Sequence, residues 1–403
     1  MSAAPDTSVA WLLSAAAVRE RAHALLAEAE RGALDHFALH PERLDEAADL
    51  VVEVTRDCYP DLAVPYHSRW RHFVVNGEDR WAKLAETLDC LDADELARIR
   101  IDLAVVSVLL DAGAGDLWRY RDGDGGELAR SEGLAIASFD MFRHGAFADG
   151  HSLLRLRADA DALMDVEEST LADGFQVSAG NPLVGLDGRV ALLRRLGKAL
   201  NKAPDLFGRP ARVGNLYDHL KAQAPGGVLP ACVILSAVLR GLGPIWPGRI
   251  ELEGVNLGDV WPHPTGGLVP FHKLSQWLTY SLVEPLEDAG IHVTGLDGLT
   301  GLPEYRNGGL LVDTGVLAPK DPRVLTDALE VGDPAVVEWR ALTVALLDRL
   351  ADGVRARLGV PAEVFPLAKV LQGGTWTAGR WIARERRPDG SPPIRIRSDG
   401  TVF

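Results

Sequence analysis

The sequence has few cysteines, and their positions do not suit cross-links or metal binding. Three occur among 403 residues, an odd number, and no two of them form a CxxC pair: Cys58, Cys90 and Cys232. Disulfide frameworks and thiolate zinc sites both require paired or clustered cysteines. Neither a disulfide nor a thiolate zinc site is therefore expected in this chain.

Phosphate-binding loops and serine-hydrolase motifs are also absent from the sequence. There is no GxxxxGK[ST] loop, no GxGxxG after a predicted strand and no GxSxG turn. These absences remove support for nucleoside-triphosphate chemistry, for a Rossmann-type dinucleotide site and for an α/β-hydrolase. We therefore expect no cofactor.

Positive charge and long apolar runs are scarce as well. The net charge is −15 and the pI is near 5.2, whereas nucleic-acid binding requires a basic face. No apolar stretch is long enough to span a bilayer. The apolar run near the start gives way to Arg19, Glu20 and Arg21, which indicates an amphipathic helix rather than a signal peptide. These features predict a cytoplasmic protein without a nucleic-acid or membrane partner.

Helical periodicity dominates the sequence. Apolar residues at three- and four-residue spacing predict helices near residues 8–31, 41–56, 78–91, 93–112, 127–147, 158–173, 188–203, 213–224, 228–241, 271–288, 333–358 and 360–371. Short strands are predicted at 73–75, 249–252, 309–312 and 394–396. Because strands and helices do not alternate, we predict a mainly α protein. It is expected to form a single catalytic domain over residues 1–403, with an N-terminal helical part (1–112), a site-bearing core (113–320) and C-terminal helices with a basic tail (321–403).

One segment, residues 271–317, combines an amphipathic helix with a cluster of polar residues. The run Glu304-Tyr305-Arg306-Asn307 is followed directly by two glycines. A carboxylate beside a guanidinium, just before a flexible Gly-Gly, suits a site that holds one acid against a small polar ligand. A helix-capping glutamate with a surface ion pair would give the same pattern.

The histidines allow a metal hypothesis. His67 and His72 are five residues apart, and His263 and His272 lie on either side of the loop before the amphipathic helix. Zinc hydrolases typically use HxxxH or HExxH spacing, which these four histidines lack. We therefore predict no metal, with His67, His72 and His263 as the ligands if one is bound.

Two further segments place polar groups among large apolar residues. They are the run GDLWRY, with Asp116 and Trp118, and residues 130–147, with Asp140. Buried polar groups are usually paired or functional. A structural network and the lining of a pocket both fit this pattern.

Motifs across residues 8–385 resemble a family of unknown function that is tied to the ring-opening pathway of uracil catabolism and is known as uracil catabolism protein four. The motifs are PYHSRWRHF, GDLWRY, RSEGLAIASFDMFRHGAF, FQVSAGNPLVGLDGR, GDVWPH, PFHKLSQWLTYSLVEPLE, GLTGLPEYRNGGLLVDTGVL and GTWTAGR. In that pathway, urea must be released from ribose after ring opening. The resemblance implies a substrate like ribosylurea, as its 5′-phosphate.

A second resemblance concerns the chemistry. The run LTGLPEYRNGGLLVDTGVL is similar to a motif of queuosine-salvage N-glycosidases, and FHKLSQ is similar to the start of a helix in those enzymes. Their fold resembles that of helix-hairpin-helix DNA glycosylases, which the resemblance implies for this chain. By position it implies Glu304 as the catalytic acid and Lys273 as a phosphate contact. Glutamate replaces the family's aspartate, and Asn-Gly-Gly replaces a Val-Pro-Gln-like continuation.

Together the resemblances imply an N-glycosidase. Cleavage of a ribosyl C–N bond passes through an oxocarbenium-like state, which a carboxylate stabilises or attacks, and the departing nitrogen requires a proton donor. The expected donors, in order of preference, are Asp259, His263 and Asp140. The expected substrate-binding residues are Lys273 and Arg306 for the phosphate, Trp118 and Trp261 as walls, and Tyr305, Asn307, His272 and Asp116 as further contacts.

Two alternatives stay open. One is a metal-dependent amidohydrolase that cuts the ureido group itself, and the other is a non-catalytic ligand-binding protein of the same pathway. In each case the expected partner is a small molecule that resembles a nucleoside or ribose phosphate. The sequence does not indicate an oligomeric state.

Overall fold

A computed structural model describes residues 7–111, 113–123, 125–246 and 250–397. Helices dominate this part of the chain, which confirms the prediction of a mainly α protein. The α-helices are α1 Val9–Leu12, α2 Ala15–Glu30, α3 Leu44–Cys58, α4 Arg80–Ala85, α5 Ala93–Leu109, α6 Arg130–Arg143, α7 Ala160–Asp165, α8 Glu168–Gly174, α9 Leu186–Lys202, α10 Pro204–Phe207, α11 Leu216–Ala222, α12 Ala231–Leu242, α13 Lys273–Asp288, α14 Tyr305–Asp313, α15 Arg323–Thr326, α16 Pro334–Leu358, α17 Leu367–Val370 and α18 Trp376–Arg386.

The strands are short and form isolated pairs. They are β1 Phe37–Leu39, β2 Val74–Val75, β3 Glu78–Asp79, β4 Tyr120–Arg121, β5 Glu127–Leu128, β6 Val228–Pro230, β7 Glu251–Leu252, β8 Val255–Asn256, β9 Val260–His263, β10 Gly267–Pro270, β11 His292–Thr294, β12 Leu317–Pro319, β13 Ala328–Glu330 and β14 Arg395–Arg397. The pairs β6–β11 and β13–β14 are parallel. The pairs β1–β12, β2–β3, β4–β5, β7–β8 and β9–β10 are antiparallel.

Contacts divide the chain into two compact units, each assembled from segments that are distant in sequence. Unit 1 comprises residues 1–67, 248–276 and 295–403, and unit 2 comprises residues 68–247 and 277–294. The division falls inside α13, between Gln276 and Trp277. The prediction of a single catalytic domain with parts ending at residues 112 and 320 stays a prediction.

Helix α16 forms the core of unit 1. The Asp333 carboxylate begins it by accepting a hydrogen bond from the backbone N–H of Ala335 (2.9 Å), and Gly359 ends it in the left-handed conformation with φ of 72°. The helix is buried on all sides along its first half and packs against α2 and α3. Two charged residues, Glu338 and Arg340, lie within this buried half. Such groups are rarely buried without partners.

Unit 2 is built around α5 and α6. Asp92 caps α5, since its carboxylate accepts from the backbone N–H of Glu95 (2.7 Å). Near the centre of α5, the buried Asp102 accepts from Arg212 Nε (2.7 Å) and from the backbone N–H of Gly214 (2.6 Å). Burial raises the pKa of Asp102 to about 6, against the opposing charge of Arg212.

Most predicted helices are confirmed, with some shortened. The first divides at Ser14, whose side chain caps α2 by accepting from the backbone N–H of Ala17 (3.2 Å). The helices predicted at 78–91 and 360–371 shorten to α4 and α17. Predicted strands at 73–75 and 394–396 overlap β2 and β14. The strand predicted at 249–252 is present only as β7, because Ile250 is not in a strand and Arg249 lies outside the described residues. No helix in the described ranges is long and apolar enough to cross a membrane.

The strand predicted at 309–312 is wrong, because these residues belong to α14. The apolar run suggested a strand, but Glu304 caps a helix here with its side chain. Gly308 allows α14 to approach the indole of Trp339 closely, which a side chain would prevent. The missed helix α18 packs on α14, and Arg387 just after it forms a two-bond ion pair with Asp313 (2.8 and 2.5 Å). Part of the basic tail is thus a salt-bridged face.

We predict that Gly379→Ala in α18 destabilises the protein by about 1–3 kcal/mol, because the new methyl group would overlap the carbonyl oxygen of Arg306 in α14. Urea denaturation measures the change. Gly353→Ala in α16 is the matched control: its methyl group would meet Ala48 and Arg357 at an ordinary 3.4 Å, so it should stabilise by about 0.5–1 kcal/mol. A Gly379→Ala protein as stable as the parent would contradict the close packing of the two helices.

Candidate functional site

A buried ion pair joins the start of the β9–β10 hairpin to α16. Arg340 donates from Nη1 and Nη2 to the two carboxylate oxygens of Asp259, both at 2.8 Å. The Arg340 side chain is fully buried, and its guanidinium lies 4.0 Å from the ring centre of Phe271. Burial alone would raise the pKa of Asp259, but the charge and hydrogen bonds of Arg340, with help from the Trp261 indole, hold that pKa well below its usual range.

The same carboxylate organises the turn that begins α13. Asp259 also accepts from Trp261 Nε1 (2.7 Å) and from the backbone N–H of Lys273 (3.1 Å), and its own carbonyl accepts from the backbone N–H of Phe271 (2.9 Å). His272 adopts the left-handed conformation with φ of 48°, which is uncommon for a residue other than glycine. The first residue of α13 is therefore held in place by the ion pair.

The two histidines near this turn are both buried and hydrogen-bonded. His272 Nε2 lies 2.8 Å from the carbonyl oxygen of Leu12. Because a carbonyl oxygen can only accept a hydrogen bond, Nε2 carries a proton and donates it. Burial lowers the pKa of His272, which keeps its ring neutral. His263 Nδ1 accepts from the backbone N–H groups of Thr265 (3.3 Å) and Gly266 (3.1 Å). The proton of a neutral His263 therefore resides on Nε2.

His263 Nε2 faces a second buried charge of α16. It lies 3.6 Å from Glu338 Oε2, and both side chains are almost fully buried. The other oxygen of Glu338 accepts from the backbone N–H groups of Phe37 (2.8 Å) and His36 (3.2 Å). Asp259 and His263 thus bind Arg340 and Glu338 of the same helix, so two polar contacts attach the hairpin to α16.

Glu304 is the N-cap of α14. Its carboxylate accepts from the backbone N–H groups of Arg306 (2.8 Å) and Asn307 (2.5 Å), and only 9% of the residue is exposed. Burial raises the pKa of Glu304, while the two backbone hydrogen bonds and the charges of Lys273 and Arg306 oppose the rise. The capping role that the alternative interpretation gave to Glu304 is confirmed, but its surface position is wrong because the carboxylate is buried.

The polar side chains near Glu304 differ in burial and in how many of their hydrogen-bonding groups are bound within the protein. Asn307 is fully buried, donates to the carbonyl of Leu302 (3.0 Å) and accepts from Thr375 (2.9 Å). Both the nitrogen and the oxygen of its side-chain amide are therefore hydrogen-bonded within the protein. Arg306 donates to the carbonyl of Gly390 (3.0 Å), and its guanidinium lies 5.0 Å from the Tyr305 ring centre. Lys273 and Tyr305 are partly exposed.

Three of the predicted site residues belong to unit 2, whereas the residues described above belong to unit 1. Trp118 is fully buried and donates to the carbonyl of Phe175 (2.9 Å), which places it in the core of unit 2 and not in a ligand-facing wall. Asp140 accepts from Tyr120 Oη (2.7 Å) and from Arg143 Nε (2.8 Å). The third, Asp116, is exposed. Neither unit by itself therefore brings the whole predicted set of site residues together.

The three histidines of the alternative metal site do not form a ligand group. His67 Nδ1 lies 3.1 Å from Gln372, and burial lowers the pKa of His67 to about 4. His72 belongs to unit 2, where its ring packs edge-on against Trp277 with centres 5.7 Å apart. In the part of the chain that the structure describes, no three histidine, cysteine, aspartate or glutamate side chains gather as metal ligands would.

Sequence reasoning missed Glu338 and Arg340, although their helix was predicted. The signal available was the run VVEWRALTVALL, in which two charges interrupt an otherwise apolar stretch. A charged residue on the buried side of a helix requires a partner. The partners, Asp259 and His263, are about 80 residues earlier in the chain. A local sequence pattern does not predict contacts between residues so far apart.

Comparison with known proteins gives full-length matches. A family model described as "Protein of unknown function (DUF1688)" matches residues 11–403. The chain is 40% identical over 406 residues to "Protein urg3" of Schizosaccharomyces pombe, an alignment that covers 98% of this chain and 99% of that protein. It is 37% identical over 440 residues to "Uracil catabolism protein 4" of Lachancea kluyveri, with 99% of each chain covered.

We predict that Asp259→Asn destabilises the protein by about 3–5 kcal/mol at pH 7, because it leaves the Arg340 charge buried without a counter-charge. Since the pKa of Asp259 is lowered on folding, its contribution is complete above about pH 4, the pKa of an unfolded aspartate, and is lost as the pH falls through the folded value. Urea denaturation at pH 7 and at pH 5 should therefore give the same difference. Asp45→Asn, which removes one of two exposed carboxylates paired with Arg357, is the control and should change stability little. A loss no larger than the control's would contradict the role of the ion pair.

Proposed function

The chain belongs to the family described as protein of unknown function DUF1688, and we propose that it acts in uracil catabolism as an N-glycosidase. The name of the relative "Uracil catabolism protein 4" supports the pathway. The proposed substrate is a 5′-phosphorylated ribosylurea, and the proposed products are urea and ribose 5-phosphate. One observation carries the reaction: Glu304 is a buried carboxylate with a raised pKa at the start of a helix, close enough to Lys273 for their charges to interact.

A raised pKa suits Glu304 to protonate the leaving group. Urea departs poorly as an anion, so its nitrogen must gain a proton as the C–N bond breaks. Asp259 is held ionised by Arg340, and both ring nitrogens of His263 face the protein. Asp140 is bound by Tyr120 and Arg143 in unit 2. These contacts favour Glu304 over the three donors expected from the sequence.

The proposed reaction uses the Glu304 carboxyl twice. Its proton passes to the departing nitrogen, and the electron pair of the C–N bond leaves with urea. The resulting carboxylate stabilises the ribosyl cation electrostatically. Water then adds to the anomeric carbon and gives a proton back to Glu304, which restores the acid. No further reactant is required.

Lys273 is the proposed phosphate contact. It is partly exposed at the first position of α13, and the Asp259 carboxylate accepts from its backbone N–H. An ammonium group binds phosphate through charge-assisted hydrogen bonds. Arg306, the other expected phosphate contact, is buried and donates to Gly390, which leaves it less free to bind a ligand.

We predict that Glu304→Gln lowers kcat by about a hundredfold or more, because the amide can neither donate the proton nor carry the negative charge. The rate of urea release from synthetic ribosylurea 5′-phosphate measures the loss. Since one cap acceptor is also lost, stability should fall by about 1 kcal/mol. Asp92→Asn changes the cap of α5 in the same way and should leave kcat unchanged. Activity of Glu304→Gln within threefold of the parent would exclude Glu304 from the mechanism.

Lys273→Ala should raise KM for the phosphorylated substrate by about tenfold or more while changing KM for unphosphorylated ribosylurea less than twofold, since only the former loses a charge-assisted contact. Steady-state kinetics with both substrates measures the difference. Equal effects on the two would show that Lys273 does not bind the phosphate. Saturable binding without any turnover by the parent protein would instead identify a ligand-binding protein.

A further inference from the structure

Helix α9 of unit 2 presents three positive charges to one surface cavity. Arg194, Arg195 and Lys198 line this cavity, whose volume is ≈ 370 Å³. Residues four apart are neighbours on a helix, so the charges of Arg194 and Lys198 repel one another. A repulsive cluster of this kind stands out in a chain with a net charge of −15.

This cluster shares its cavity with two carboxylates but forms no ion pair with any residue that the structure describes. Elsewhere in the same unit, by contrast, Arg98 is paired with Asp218 at 2.6 Å. Among the residues that the structure describes, Arg194 and Arg195 hydrogen-bond only to main-chain carbonyls, and Lys198 has no ion-pair partner. The cluster is therefore available to an external anion.

The two guanidinium groups are held in position by the protein. Arg194 donates to the carbonyl of Val166 from Nε (3.0 Å) and Nη2 (2.8 Å). Arg195 donates from Nε to the carbonyl of Ile245 (2.6 Å), which leaves both of its Nη groups for a ligand. Guanidinium groups fixed in this way suit a phosphate, whose oxygens accept paired hydrogen bonds.

Two carboxylates, Glu168 and Asp187, line the same cavity. They would repel a ligand that carries only negative charge, but they can accept hydrogen bonds from hydroxyl groups. The volume lies at the lower end of the range of small-molecule sites, roughly 300–1,000 Å³. These features together select a small anion that also carries hydroxyl groups.

We propose that this cavity is a second binding site, for a phosphate monoester of a polyhydroxylated molecule such as a sugar phosphate. The phosphate binds Arg194, Arg195 and Lys198, and the hydroxyl groups donate to Glu168 and Asp187. The site uses no residue of the proposed reaction, so the two proposals can fail separately.

Calorimetric titration of the full-length protein with ribose 5-phosphate tests the proposal. Lys198→Glu should weaken one binding event by tenfold or more. Lys202→Glu is the matched control, because it reverses an exposed charge on the same helix outside the cavity, and it should change the affinity less than twofold. Absence of saturable binding, or equal effects of the two variants, would overturn the proposal.

Further titrations separate the ligand chemistry and the two sites. Inorganic phosphate and ribose should each bind at least tenfold more weakly than ribose 5-phosphate, and equal affinity for inorganic phosphate would overturn the role of the carboxylates. A binding event that Lys273→Ala removes and Lys198→Glu leaves intact belongs to the proposed reaction site. If only the event sensitive to Lys198→Glu is present, the cavity is supported and the phosphate contact of the proposed function fails.

Discussion

The buried ion pair of Asp259 and Arg340 is the interaction on which the candidate site of unit 1 depends. Burying two charges is costly unless they are paired and further hydrogen-bonded, and the Asp259 carboxylate accepts from Arg340 twice, from Trp261 and from the backbone of Lys273. Because one carboxylate makes all these bonds, the hairpin, α16 and the start of α13 are fixed together. The backbone position of Lys273 follows from this arrangement.

Glu304 is subject to two opposing influences. The backbone N–H groups at the start of α14 favour its ionised form, as does the Lys273 charge, whereas burial favours the protonated form. Burial prevails, and the pKa is raised. A carboxyl group that caps a helix and still holds its proton more tightly than usual is suited to exchange that proton during a reaction. The same side chain thus caps the helix and serves as the proposed acid.

Much of the fold followed from local patterns, and much of the site did not. Apolar periodicity predicted helices that the structure confirms, because this pattern repeats every few residues. Residues 309–312 were predicted as a strand, since a short apolar run fits a strand or a buried helix equally well, and only the helix agrees with the alternative in which Glu304 is a cap. The partners of Arg340 and Glu338 arise from contacts between distant segments. Trp118 was predicted to line the site because a tryptophan with apolar neighbours in the sequence can lie either in a pocket wall or in the core.

The measurement that tests the account most directly is the fate of oxygen from water. The protein is incubated with ribosylurea 5′-phosphate in ¹⁸O-labelled water, and the products are read quickly by mass spectrometry. Cleavage of the C–N bond at the anomeric carbon predicts label in ribose 5-phosphate and unlabelled urea. Label in carbon dioxide or carbamate, with release of ammonia, would show that the ureido group is hydrolysed instead and would contradict the role assigned to Glu304.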